Sequence, residues 1–254
     1  MFSRLFGSKK AEKFDNSPIP ADWSFLKTDM HSHLLPGIDD GAAEIADSIN
    51  MIKGLQEMGF SQIITTPHIK FDHYKNTPEI ILGQLELVRA ELKNQQIEIS
   101  IYAAAEYYVD DIFMELLESS ELLTLQKNEL LIEFSFMFEP MNLLNTIFKI
   151  QTKGYRPVIA HPERYIYYHQ KPEIFADLRD RGCYLQLNTL SALGYYGKRE
   201  KEIAEMFLDR RMYDYCGTDM HHIRHTELIQ NCGGQKGYQL LKEYPFRNAQ
   251  IKRD

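Results

Sequence analysis

Apolar residues along the chain fall into two alternating rhythms. Short runs rich in Ile, Leu, Val and aromatic residues occupy 25–30, 62–66, 99–104, 130–133, 157–160, 184–187 and 213–217, with the length and composition of buried strands. Helix-like stretches separate them. At 43–58, Ile45, Ile49, Ile52 and Leu55 recur at the helical period and Gly59 supplies a stop. Thr77, Pro78 and Glu79 read as an N-cap, a first-turn proline and a first-turn acid, and Ile81, Leu85, Val88 and Leu92 then form one stripe. Pro172 opens a further short helix with Ile174, Phe175 and Leu178 on one face, ending near Gly182. A strand–helix alternation repeated about seven times predicts an α/β fold, with parallel strands covered by helices. Seven units in one domain favour a barrel or closed sheet over an open one, and the periodicity does not choose between those two.

No Gly/Ser/Pro linker, repeat or low-complexity segment divides the chain, so one domain over 23–254 is expected behind an N-terminal arm, 1–22. The arm carries Arg4, Lys9, Lys10 and Lys13 but lacks the apolar run of a secretory signal. At most it offers a weak membrane-surface contact through Phe2, Leu5 and Phe6. No stretch approaches the ~20 apolar residues of a membrane-spanning helix.

Composition narrows the function classes. The 254 residues carry a formal net charge of −7, which argues against non-specific nucleic-acid binding. Cys183, Cys216 and Cys232 are odd in number and widely spaced, the usage of a reducing cytoplasm rather than of a disulfide framework.

Six of the seven strand candidates lead into a side chain that can ligate metal. The first leads into His31 and His33, the second into His68, the third into Glu106 and the fourth into Glu133. The fifth leads into His161, and the seventh into Asp219 and His221; the sixth leads into Asn188, a poor ligand. In parallel α/β folds the carboxyl ends of strands gather on one face, so these residues are expected to converge. Residues two apart on an extended strand point the same way, so His31-x-His33 and Asp219-x-His221 can each grip one cation. Asp39 and Asp40 follow the first strand; one is expected to reach a metal and the other to cap or orient. Gly41 is expected to let the chain turn sharply into the next helix. His73, His169 and His225 read as surface or rim, and His222 is ambiguous.

Nine ligands, namely His31, His33, Asp39 or Asp40, His68, Glu106, Glu133, His161, Asp219 and His221, suit two or three ions sharing carboxylates. Imidazole and carboxylate donors without cysteine favour manganese, iron or zinc. Clustered divalent ions activate water for hydrolysis, most often of phosphate esters. Arg164, three residues after His161, is positioned to offer a phosphoryl group a guanidinium, and Arg224, three after His221, is a second candidate. Other phosphate chemistries lack their residues. The positions six after the cysteines hold Thr189, His222 and Tyr238, so there is no Cys-x5-Arg motif. Ala192 stands where a Walker-A loop needs glycine, and there is no Gly-x-Ser-x-Gly elbow.

These motifs carry a resemblance. Asp29-Met-His-Ser-His33 with Pro36-Gly-Ile-Asp-Asp-Gly41 resembles the opening motif of the polymerase and histidinol phosphatase (PHP) superfamily. Thr66-Pro-His68, Glu106, Leu131-Ile-Glu-Phe134, Ala160-His-Pro-Glu-Arg-Tyr165, the 186–197 segment and Gly217-Thr-Asp-Met-His221 extend it. More narrowly, the series resembles the manganese-dependent tyrosine-protein phosphatases of bacterial capsule and exopolysaccharide loci, the CpsB/CapC/YwqE type. The resemblance implies a single distorted, roughly seven-stranded (β/α)7-type PHP barrel with a three-metal centre, usually Mn²⁺, at the C-terminal ends of the strands. It implies dephosphorylation of phosphotyrosine, notably on a tyrosine kinase of polysaccharide export. Carried over by position, Arg164 matches the phosphate-binding arginine, whereas Arg224 has no secure counterpart. His221 or His222 is the candidate for assisting the leaving group. A phosphoesterase acting on a small phosphomonoester such as histidinol phosphate is the alternative. An amidohydrolase leaves the Asp-x-His pair without a role, and a non-catalytic partner of a kinase has no need of nine ligands. Three bound divalent ions would offset most of the −7, so removing them is expected to lower stability.

Overall fold

The computed structural model describes residues 18–119 and 121–253. Nine parallel strands run through it: β1 (Thr28–Asp29), β2 (Gln62–Thr65), β3 (His68–Ile69), β4 (Ser100–Ala103), β5 (Glu106–Tyr108), β6 (Glu129–Glu133), β7 (Arg156–Ala160), β8 (Tyr184–Asn188) and β9 (Tyr215–Gly217). All seven expected strands are present. β1 is shorter than its apolar run because Leu26 and Lys27 turn back onto Trp23 and Ser24. β3 and β5 were not expected. Each is a two- or three-residue continuation of the strand before it, β3 beyond Pro67 and β5 beyond the Ala104–Ala105 step.

The order is β1-β2-β4 in one sheet and β3-β5-β6-β7-β8-β9 in the other. Ala104 donates to Thr65 and Glu106 to Pro67, so the hydrogen-bond ladder passes from one sheet into the other. The result is one curled parallel sheet. Its first and last strands also meet: Ser32 bridges Met220 in parallel, His33 donates to the Met220 carbonyl and Asp219 to that of His31, each at 2.8 Å.

Side chains alternate between the two faces of the sheet. Ile63, Leu130, Ile132 and Ile159 belong to the large core shared with the helices, while Ile64, Leu131, Val158 and Ala160 join Met30, Tyr215 and Ile251 in a separate inner cluster. The helices are α1 (Ile45–Glu57), α2 (Pro78–Asn94), α3 (Asp111–Ser119), α4 (Leu143–Thr152), α5 (Glu173–Asp180), α6 (Thr189–Leu193), α7 (Lys198–Asp209), α8 (Ile223–Gln230) and α9 (Lys236–Glu243). The predicted stripe of α2 is buried, and its N-cap forms, Thr77 accepting from the Ile80 amide. No helix among the described residues is long and apolar enough to cross a membrane.

At the chain's two ends, the end of the expected arm is tied down: Ile19 bridges Cys232 and Ala21 donates to Gln230. The rest of the arm, with Phe2, Leu5 and Phe6, lies outside the described residues. The C-terminal segment crosses the base of the sheet. Asn248 Nδ2 donates to the carbonyls of Thr28 and Cys216 while its Oδ1 accepts from Cys216, joining β1 to β9. Arg253 Nη2 donates to the carbonyls of Ala103 and Thr124.

Candidate metal centre

Eight of the strand-end residues and Asp40 meet around one cleft at the C-terminal ends of the strands. The cleft has a volume of about 320 Å³, and Asp40, His68, Glu106, Glu133, His161, Arg164, Asp219 and His221 line it. His31 and His33 lie beneath, fully buried. Two ligand candidates leave their strands through left-handed backbone, His161 at φ 32° and Asp219 at φ 50°. Such conformations cost a non-glycine residue energy and are held only by surrounding structure.

The imidazoles are fixed from behind. His31 Nδ1–H donates to Gln186 Oε1 at 2.8 Å, and His33 Nδ1–H to Asp39 Oδ2 at 2.8 Å. His221 Nδ1–H donates to the Asp219 carbonyl at 2.8 Å. These bonds engage each Nδ1 and leave each Nε2 as the nitrogen available to a metal ion. His31 Nε2 and His33 Nε2 then lie 3.4 Å apart, and Asp219 Oδ1 is 3.3 Å from both. Glu106 Oε2 is 3.2 Å from His31 Nε2 and 3.2 Å from His68 Nδ1, yet it accepts no hydrogen bond. Two imidazole nitrogens and two carboxylate oxygens thus crowd one buried point. A bound cation would satisfy all four at once.

Three overlapping donor groups emerge: His31, His33, Glu106 and Asp219; His33, Asp40, His68 and His221; and His68, Glu106 and Glu133. Within each, the ligand atoms lie within 4.8 Å of one another. His161 Nε2 sits 3.1 Å from Glu106 and 3.6 Å from Glu133, beside the third group. The donors fit hard or borderline divalent ions.

The charges explain why the cluster needs compensation. Burial pushes Glu106 and Asp219 upward, but His31 with His68, and His31 with His221, overcome it and hold both well below the usual carboxylate range. Glu133 is raised well above it, by burial first and then by the neighbouring Glu106 charge. Two carboxylates this close do not both ionise without a cation. Burial would lower His33, yet Asp39 beside it holds it well above its usual value.

Several expectations need correction. Asp39 is not among the donor groups: its Oδ2 serves His33 and the His68 amide, and its Oδ1 accepts from Gly41. The loop between β1 and α1 aims Asp39 inward behind His33 and Asp40 outward into the cleft. Gly41 serves close approach rather than a positive-φ turn, since a Cβ there would come within 2.5 Å of His33 Cβ. Arg224 is exposed on α8 and does not line the cleft. His225 and His169 are buried rather than on the surface, and His225 lines the cleft. His225 accepts from the His221 amide, and burial followed by His222 presses it down to about 3. His169 reaches the Glu163 carbonyl at 2.7 Å. His73 is exposed, and His222 lines the cleft mouth.

The aromatic contributors were not singled out from sequence. Phe136, Tyr195 and Tyr196 line the cleft. Asn188, a poor ligand, instead donates to Asp219. Glu163, buried, accepts from the Asn188 amide and from Tyr213, which anchors the turn bearing Arg164, and burial raises it to about 7.

A family model described as capsular polysaccharide synthesis, CpsB/CapC, matches residues 27–235. The chain belongs to the CpsB/CapC family. It is 30% identical over 237 residues to the tyrosine-protein phosphatase YwqE of Bacillus subtilis, covering 89% of this chain and 93% of the relative. It is 29% identical to the tyrosine-protein phosphatase CpsB of Streptococcus pneumoniae, covering 77% and 83%. A crystal structure from the work on YwqE and CpsB, described there as metal-dependent tyrosine phosphatases, superposes with a TM-score of 0.74 at 29% identity over 89% of this chain and 97% of the other. The histidinol phosphate phosphatase of Lactococcus lactis shares the fold, with a TM-score of 0.53 at 14% identity over 86% and 94% of the two chains. In this CpsB/CapC member the matched region holds every residue of the three donor groups, and it ends before α9 and the segment that closes the base of the sheet.

Proposed function

We propose that this chain hydrolyses phosphotyrosine in proteins, using two or three divalent cations, with Mn²⁺ as the resident ion and iron or zinc as substitutes. The meeting of His31, His33, Glu106 and Asp219 at one buried point carries this reading. The family and the names of its relatives support the substrate class. His31, His33, Asp40, His68, Glu106, Glu133, His161, Asp219 and His221 would hold the ions. When bound, such ions supply Lewis-acid charge to phosphoryl oxygens and acidify water.

The chain's own residues do the rest. Arg164 meets the phosphoryl oxygens from the cleft wall with in-plane N–H groups. Asp219 and Asn188 keep that arginine and its neighbours in place. His221, with its Nδ1 proton held by the Asp219 carbonyl, turns Nε2 into the cleft as a metal donor beside Asp40. Little proton donation to the leaving group is needed, because a tyrosine oxygen of pKa about 10 leaves more readily than an alkoxide.

The protein substrate is a tyrosine kinase of capsular or exopolysaccharide export, in keeping with the family's description. The working compartment is the cytoplasm, consistent with three free buried cysteines. We read β2 with β3, and β4 with β5, as single interrupted staves of a seven-stave barrel, a reading that the Ser32–Met220 bridge between the first and last strands supports. The phosphatase domain runs from residue 23 onward.

The test is turnover of a phosphotyrosine peptide in Mn²⁺, side by side with histidinol phosphate. Wild type should favour the peptide, and His31→Ala combined with His33→Ala should abolish Mn²⁺-dependent turnover. Retained activity in that double variant would refute the reading, and preference for histidinol phosphate would move it to small-molecule hydrolysis.

A further inference from the structure

The guanidinium of Arg164 lies between two aromatic faces. Its central carbon is 4.4 Å from the ring centroid of Phe136 and 4.0 Å from that of Tyr196. The three residues arrive separately: Phe136 follows β6, Arg164 lies in the turn after β7 and Tyr196 follows α6. One edge of the guanidinium is tied, Nη1 donating to Asp219 Oδ2 at 3.1 Å, its one hydrogen bond among the described residues. The other N–H groups are neither bonded nor sealed away, since the side chain is 21% exposed and lines the cleft. Tyr196 is anchored in turn, its hydroxyl accepting from Asn188 Nδ2 at 3.4 Å. Asn188 also donates to the Asp219 oxygen that receives Arg164.

The physical effect is specific. A single ion pair fixes one nitrogen of an arginine and leaves its plane free to rotate. Rings on both faces fix the plane and use none of the N–H donors, because stacking engages the π surface. The donors that remain lie in that plane, at the cleft wall, and in-plane N–H groups are what a phosphoryl group needs for paired hydrogen bonds. An unstacked arginine would have to surrender side-chain freedom at each binding event.

We propose that Phe136 and Tyr196 are positioning residues that hold the Arg164 plane ready for the phosphoryl group, and so set phosphate affinity without holding the metal ions. This rests on the phosphatase reading for its substrate, but the ordering of Arg164 can be measured without turnover.

The experiment uses Phe136→Leu, Tyr196→Leu and Tyr196→Phe. Inorganic phosphate is titrated calorimetrically into the Mn²⁺-loaded proteins, and kcat and KM are measured on a phosphotyrosine peptide. The order of the Arg164 Nε–H group is followed by NMR in zinc-loaded, diamagnetic protein. Each leucine variant should weaken phosphate binding and raise KM by roughly fivefold, with metal content unchanged and the Nε–H group loosened. Tyr196→Phe keeps the face and should restore most of what Tyr196→Leu loses. An unchanged phosphate affinity, or an equally ordered Arg164, in both leucine variants overturns the proposal. So does loss of metal from them, which would make the rings structural. If wild type does not hydrolyse the peptide, the phosphatase reading fails, and the NMR comparison still decides whether the rings order Arg164.

Discussion

Asn188 Nδ2 donates to Oδ2 of Asp219 at 2.6 Å, on the oxygen that also receives Arg164, while Oδ1 of the same carboxylate faces His31 and His33. One strand end without a ligand thus steadies the ligand of the next. Groups that orient metal ligands commonly govern affinity by 10–100-fold. Asn188→Leu should therefore weaken metal binding by roughly that factor, read by titration against a competing chelator. An unchanged affinity would mean that Asp219 is held by Arg164 alone.

Removal of metal should cost stability. Ions bound only by the folded chain stabilise it by about 4 kcal/mol at a thousandfold excess over Kd. For a domain of this size that is a melting shift on the order of 10 °C. Chelator should produce it in wild type and leave the His31→Ala, His33→Ala protein nearly unmoved. A wild-type melting curve indifferent to chelator would remove the counter-charge argument built on Glu106, Glu133 and Asp219.

The C-terminal segment should matter to folding and not to chemistry. Ile251 is 7% exposed and completes the inner cluster, so Ile251→Ala should cost about 2 kcal/mol. Asn248→Ala strands the buried Cys216 amide and the Thr28 and Cys216 carbonyls, a loss of about 1–3 kcal/mol. Denaturant unfolding measures both, and kcat per folded molecule should stay at the wild-type value.

The cysteines give a pH prediction. Burial raises Cys183, Cys216 and Cys232 to about 12, against an unfolded thiol near 9. A group raised on folding contributes stability that is complete below the unfolded value and lost as pH climbs to the folded one. Stability should therefore hold to about pH 9 and decline toward pH 12, a fall that the buried tyrosines deepen. Melting temperatures across that range check it, and Cys183→Ala should flatten the decline. Iodoacetamide at neutral pH should leave the native protein active and unlabelled.

Legibility in the sequence followed physical range. Period and length revealed the seven long strand candidates, because a strand buried on both faces is a continuous apolar run. β3 and β5 escaped because two or three residues beyond Pro67 or Ala105 carry no period. The strand-end rule located residues as distant as His31 and His221, since parallel topology alone brings such ends together. It did not separate Asp39 from Asp40, because which carboxylate faces inward depends on one turn of loop. Spacing also misled for Arg224, where three residues past His221 means the solvent face of α8. Buried His169 and His225 looked polar and exposed because their partners, the Glu163 carbonyl and the His221 amide, are main-chain groups that no composition records.

The joining of the sheet's two ends bears on how the chain is made. β1 receives Thr218 on Asp29 and Asn248 on Thr28 from residues 189 and 220 positions later. While the chain emerges from the ribosome, that edge has its local partner β2 and nothing on its other side. Unpaired edges invite association with other chains. The two histidines at the heart of the site are thus synthesised early and enclosed last.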